Sequence, residues 1–187
     1  MKKIFVLSIL YALNACTVYS LVEPGKVEVG DAYVITVNSS WSKSSHGHTY
    51  TFTKDGPALQ SLTITTGIKE KDFMVSGSTD APLPPYKKDL SLIEIQQFIN
   101  DSMVALGAEK MEFTEIRPEP FGAWQGIRAE YNYFTKSGLQ IRGLIVAAQN
   151  NDKFYYIMYN APALHFFEKN RKDAEDIIQS VIIKKET

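Results

Sequence analysis

The side chains best equipped for chemistry in this 187-residue chain are His46 and His48, which flank Gly47 in SSHGHT. Residues two apart along a strand project to the same face, so both imidazoles could reach one metal ion and activate a bound water, as in a metal-dependent hydrolase. A third ligand would have to come from His165 or from a carboxylate such as Asp55 or Asp72. The simpler reading of the same stretch is a polar turn, because Gly47 favours bent backbone. Nucleophilic catalysis finds less support. There is no Gly-x-Ser-x-Gly elbow, and Ser76 and Ser78 in VSGSTD read as turn residues. Glu112, Glu115, Glu119 and Glu130 could supply a glycosidase-type acid pair, but a solvated strand face explains them more simply. Phosphate-cradling loops are absent, since SGSTD lacks both a lysine and a following helix. Arg128 and Arg142 could hold an anion or pair with Glu130, and ion pairing needs no ligand. Tyr131, Tyr133, Phe154, Tyr156 and Tyr159 are expected to form the packed face and rim of a sheet rather than a ligand cleft. The expectation is therefore a module that binds, with no catalytic residues, no cofactor and no metal.

The single cysteine, Cys16, closes the run KKIFVLSILYALNAC. Lys2 and Lys3 form a positive n-region, and Ile4 to Leu13 is an apolar stretch with the length of a signal-peptide core, too short to span a bilayer. Leu13, Asn14 and Ala15 leading into Cys16 resemble the lipobox of bacterial lipoprotein precursors, with Asn14 where that family usually has a small or hydroxylated residue. The resemblance implies cleavage after residue 15, acylation of Cys16 and membrane attachment through the lipid. Several acyl chains exceed the two-signal threshold for stable anchoring, at roughly 0.8 kcal/mol per buried methylene. A plain secretory signal, cut near Ala15 or Ser20, is the alternative. Thr17, in place of an aspartate, resembles lipoproteins passed to the outer membrane, which would leave the body facing the periplasm.

The elements that must position any site follow from the remaining pattern. Twenty Lys plus Arg against 21 Asp plus Glu give a net charge of −1, and loss of Lys2 and Lys3 makes the body more acidic, a poor nucleic-acid binder. Residues 16–31, with Pro24, Gly25 and Gly30, read as a tether, and one domain is expected over 32–187. AYVITV reads as a strand, and HTYTFTKDGPALQSLTIT as a hairpin about Lys54 to Pro57. From Gly67 to Asp89 the chain is a long irregular loop. SLIEIQQFINDSMVALG predicts a helix, with Ser91 and Glu94 at capping-box spacing and a stripe of Leu92, Ile95, Ile99, Met103 and Leu106. Four β-rich stretches joined by KSG and NND predict an antiparallel meander. A second helix carries Phe167, Ala174, Ile177, Ile178 and Val181 on one stripe and runs into a short last strand. The fold class is α+β: a single antiparallel sheet with helices packed against it.

A second resemblance emerges from this order. Trp41 after the first strand, the TxDGxxLxxLxI pattern in TFTKDGPALQSLTI, one central helix, a meander and a terminal FFEKNRKDAEDIIQSVII resemble the PsbP/DcrB-type α/β/α sandwich over roughly residues 32–184. That resemblance implies a non-enzymatic accessory or assembly factor, and several such proteins are envelope or thylakoid lipoproteins with no shared catalytic set. The expected partner is an envelope protein. Within the long loop, Pro82, Pro84, Pro85 and Tyr86 in PLPPY would offer it an extended, partly apolar surface, or else serve as a stiff connector to Ser91.

Overall fold

The computed structural model describes residues 18–75 and 81–185. Cys16, the export segment before it, Ser76 and Ser78 lie outside the described residues. The centre of the molecule is the meander read from the second half of the chain: β8 (Glu109–Pro118), β9 (Gly126–Phe134), β10 (Gln140–Asn150) and β11 (Lys153–Pro162). The β10–β11 connection is the two-residue loop Asn151-Asp152, with φ of 48° and 59°. Two successive positive φ angles match the twist of the flanking strands, and Asn and Asp tolerate them better than most residues. On β10, Leu144, Val146 and Ala148 face one side while Ile145 and Ala147 face the other, and all five are buried. Such a strand needs a layer on each face.

Those layers are supplied by sequence-distant elements. The first half of the chain adds β1 (Ser20–Val22), β4 (Trp41–His46), β5 (Thr49–Thr53), β6 (Ser61–Thr65) and the two-residue β7 (Ile68–Lys69) to the same sheet. Its order is β1-β4-β5-β6-β11-β10-β9-β8, with β7 also paired to β11, and every pairing is antiparallel. One face is covered by α1 (Leu92–Ala105), the other by α2 (Phe166–Gln179) and by a second sheet, ordered β12 (Ile182–Ile183), β3 (Tyr33–Val37) and β2 (Gly25–Val29). The expectation of a single sheet is thus corrected to two sheets. The correction has the same cause as that of the 16–31 tether. Val27 and Val29 point inward and Lys26 and Glu28 outward, a period-2 strand hidden between Pro24, Gly25 and Gly30. Residues 20–22 and 25–29 are therefore sheet strands.

The first helix begins and ends where the sequence places it, whereas α2 stops at Gln179, before Val181. In α1, the Ser91 N–H donates to Glu94 Oε2 at 2.8 Å and the Glu94 N–H to Ser91 Oγ at 3.4 Å, a reciprocal cap. Hydrogen bonds from the Ser91 side chain and backbone hold the Glu94 carboxyl below its usual range. The buried face is Ile95, Phe98, Ile99, Ser102 and Met103, whereas Leu92 and Leu106, at the two ends of the expected stripe, remain exposed. The expected stripe is buried, Phe167, Ala174, Ile177 and Ile178 from within α2 and Val181 from just past its end, all packing into the core. At Gly143 a Cβ would stand 2.0 Å from the Tyr131 ring, so only glycine lets that ring cross β10.

Candidate binding cleft at the hairpin end

His46 and His48 do not share a strand face. His46 ends β4, pairs across the ladder with Thr49, and leaves Gly47-His48 as a two-residue loop with φ of 56° at Gly47. The alternation that would have aimed both imidazoles at one ion does not extend through a turn. Asp55 is engaged by Lys169 at 2.7 Å and Asn170 at 2.9 Å, and the hydrogen bonds from those two side chains keep its carboxyl below the usual range. The His165 ring stands edge-on to Phe166. Among the described residues no three His, Cys, Asp or Glu side chains gather as a metal-binding set.

Arg128 and Arg142 lie on the neighbouring strands β9 and β10 and pair with Glu130, as the sequence suggests, but the network is larger. Arg128, only 7% exposed, reaches Glu130 at 2.9 Å and Glu175 of α2 at 2.8 Å, with Glu119 at 3.5 Å. Arg171 of α2 closes the ring to Glu130 at 2.7 Å and Glu175 at 3.0 Å. Burial alone would raise the Glu175 pKa, but hydrogen bonds from Arg128 and Arg171 turn the shift downward. These charges fasten α2 to the outer half of the sheet. Glu119 and Glu130 belong to this network, while Glu112 and Glu115 are exposed on β8.

The PLPPY segment divides. Pro82 and Pro85 are exposed, Pro84 is half-buried, and Tyr86 is 1% exposed, which corrects its assignment to a contact surface. The Tyr86 N–H donates to Asp72 O at 2.7 Å and the Lys71 N–H to Tyr86 O at 2.9 Å, so the segment runs back along residues 71–73. The Tyr86 ring packs 5.8 Å from Phe98 and 5.5 Å from Phe154, and its hydroxyl donates to Gln149 Oε1 at 2.9 Å. Tyr131, Phe154 and Tyr156 are core residues on the α1 face and Tyr159 on the α2 face, with Tyr133 packed against the α1-side core.

A cleft of about 700 Å³ opens where turns from both sheets meet. Gly30 and Asp31 come from the β2–β3 turn, Gly47 from β4–β5, Thr66 from β6–β7, Asn150 and Asn151 from β10–β11, Trp124 from β8–β9, and Lys184 and Lys185 from the segment after β12. Trp124 is held in a tight turn by mutual hydrogen bonds: its N–H donates to Phe121 O at 3.1 Å and the Phe121 N–H to its carbonyl at 3.0 Å. The indole lies parallel to the Phe121 ring at 6.0 Å and tilted over Tyr155 at 4.7 Å. Beneath them Tyr33 meets Phe121 at 5.1 Å and donates its hydroxyl to Thr65 O at 2.7 Å, and burial pushes that phenol well above its usual pKa. Lys184 Nζ is fixed by Glu28 at 2.9 Å and Gly30 O at 3.1 Å. Trp124 also borders a second, more apolar groove of about 850 Å³ beside the start of α1, lined by Leu90, Leu92, Ile95 and Pro120. The sequence reading missed Trp124, Tyr50 and Tyr155, whose only signal is that every contributing residue sits in or next to a turn.

Solved structures resemble this arrangement. The solution structure of cyanobacterial PsbP (CyanoP) from Synechocystis sp. PCC 6803 has a TM-score of 0.55 with 10% identity, covering 95% of this chain and 99% of that one. The fold is PsbP-like. A crystal structure from Bacteroides thetaiotaomicron VPI-5482 has a TM-score of 0.52 with 15% identity over 88% of this chain, which spans only 50% of that one. At these identities the PsbP-like likeness is one of fold. No protein-family model and no curated protein matches the chain.

Proposed function

We propose that this chain is a bacterial envelope lipoprotein, anchored through Cys16, whose PsbP-like domain is a non-catalytic binding or assembly accessory module. The observation that supports the reading of the domain is its likeness in fold to CyanoP, which covers 95% of this chain and 99% of that one. The engagement of the chain's charged groups agrees with it. Asp55, Glu130, Glu175 and Arg128 hold α2 to the sheet and are not free to act on a substrate. Thr17 following the cysteine favours delivery to the outer membrane, with the domain in the periplasm and an envelope protein as partner.

The test is intact-mass analysis of the full chain expressed in a bacterium that acylates lipoproteins, beside Cys16→Ser. The wild type should begin at Cys16, carry the mass of its acyl chains and fractionate with membranes, while the variant persists as precursor or is released unacylated. A wild-type product that is unmodified and starts after Ala15 or Ser20 overturns the anchor. Affinity capture from native membranes should then recover an envelope partner with the anchored form at higher yield than with Cys16→Ser.

A further inference from the structure

The cleft at the hairpin end brings aromatic and basic side chains to one opening. Its floor is aromatic, with Trp124, Tyr155 and Tyr50, and its rim is basic, with Lys153, Lys184 and Lys185 against the single carboxylate of Asp31. A local excess of positive charge in a chain of net charge −1 is a placement, not a reflection of composition. Lys184 is committed to Glu28 and Gly30, but Lys153 and Lys185 have no ion-pair partner among the described residues. Thr66, Asn150 and Asn151 add groups that both donate and accept.

We propose that this cleft binds an acidic saccharide, its pyranose ring laid on the Trp124 indole and its carboxylate or phosphate held by Lys153 and Lys185. A sugar presents one face of C–H bonds, which packs on an aromatic ring, and a perimeter of hydroxyls that need donors and acceptors together. The lining offers both. An apolar ligand would strip water from the lysines and amides without replacing their hydrogen bonds. A bare anion would leave the aromatic floor unused. The volume of about 700 Å³ fits a small glycan and exceeds what an inorganic ion would fill. Trp124 is presented by a hydrogen-bonded turn and backed by Phe121 and Tyr155, so little ordering is left to be done on binding. The inference deepens the binding reading above, yet it does not depend on acylation of Cys16. Free acidic sugars and anionic glycolipid headgroups share the chemistry.

The chain has two tryptophans, and Trp41 is buried in the core, so a fluorescence change on binding reports Trp124. The full chain in neutral detergent is titrated with glucuronate, glucose 6-phosphate, glucose and inorganic phosphate. Both acidic sugars should perturb the emission with an affinity at least about tenfold above that for glucose or phosphate, falling as salt rises. Trp124→Ala and, separately, Lys185→Glu at an exposed position should each weaken binding about tenfold or more. Lys185→Glu serves as the independent variant because its site carries no packing. Co-sedimentation with phosphatidylcholine vesicles containing a glucuronosyl diacylglycerol, using Cys16→Ser to remove the anchor, separates a lipid-borne headgroup from a free sugar. Equal binding of glucose or of phosphate, no response to either acidic sugar, or full binding by both variants overturns the proposal. A failed titration beside intact Cys16 acylation and partner capture would remove the cleft inference and leave the envelope reading standing.

Discussion

Tyr86 gives the sharpest test of how the long loop is built. Its ring is buried among Phe98 and Phe154, and its hydroxyl shares Gln149 Oε1 with the Leu90 N–H, which donates at 3.0 Å. Tyr86→Ala removes a full aromatic side chain from a packed core, a change that costs about 3–5 kcal/mol. For a chain of this length each kcal/mol moves the melting temperature by about 2–4 °C, so a fall of roughly 6–20 °C is expected. Tyr86→Phe keeps the packing and leaves Gln149 with its backbone donor, so the loss should be about 1 kcal/mol. Pro82→Ser, four residues away on the exposed side, should cost about 1 kcal/mol or less, through the unfolded chain alone. Thermal and urea unfolding, followed by circular dichroism, measure all three. A Tyr86→Ala protein that melts within a few degrees of Pro82→Ser would refute the placement of Tyr86 in the α1-side core. It would restore PLPPY as a surface with no structural duty.

Two further outcomes follow from the buried charges and phenols. Arg128→Met should destabilise by about 2–4 kcal/mol, less than a lone buried pair because Arg171 still neutralises Glu130 and Glu175, and a loss below about 1 kcal/mol would mean the network behaves like a surface ion pair. Burial, followed by the negative charges of Asp89, Asp152 and Glu70, raises the Tyr86 pKa to about 12, and burial also raises those of Tyr33, Tyr131, Tyr156 and Tyr159. A raised phenol pKa means that the native state keeps protons the unfolded chain would release. Stability should therefore be complete below pH 10 and decline as pH rises from about 10 through 12, with absorbance at the phenolate band lagging that of the unfolded protein. Normal phenolate titration in the folded protein would contradict that burial.

How much could be read beforehand depended on whether the signal was local. The α2 stripe and the Ser91-Glu94 cap are patterns within one or two turns of chain, and both stand in the structure. The meander was legible because β9 to β11 are β-rich runs of nine residues or more joined by turn-forming KSG and NND. The second sheet was not, because β2 carries a five-residue alternation crowded by Pro24, Gly25 and Gly30, and β12 has only two residues. Tyr86 looked exposed because PLPPY is locally an extended polar-flanked segment, and the rings that bury it are contributed by Phe98 and Phe154. The cleft was the least legible feature. Trp124, Asp31, Thr66 and Lys185 become neighbours only after long-range strand pairing has stacked their turns. For His46 and His48 the strand-face argument failed on one glycine, since Gly47 places the second imidazole past the end of the ladder.

The early start of β1 changes the mechanics of an anchored molecule. Only Thr17, Val18 and Tyr19 separate Cys16 from Ser20, the first residue of the sheet. At about 3.3–3.6 Å per residue that leash is roughly 14 Å at full stretch, about half the thickness of a bilayer core. A lipid on Cys16 would then hold the nine-stranded sheet almost against the headgroups by its β1 edge, where Val18 is 83% and Leu21 66% exposed. Such a molecule skims a membrane instead of reaching across a compartment. Whatever it meets must already be at that surface.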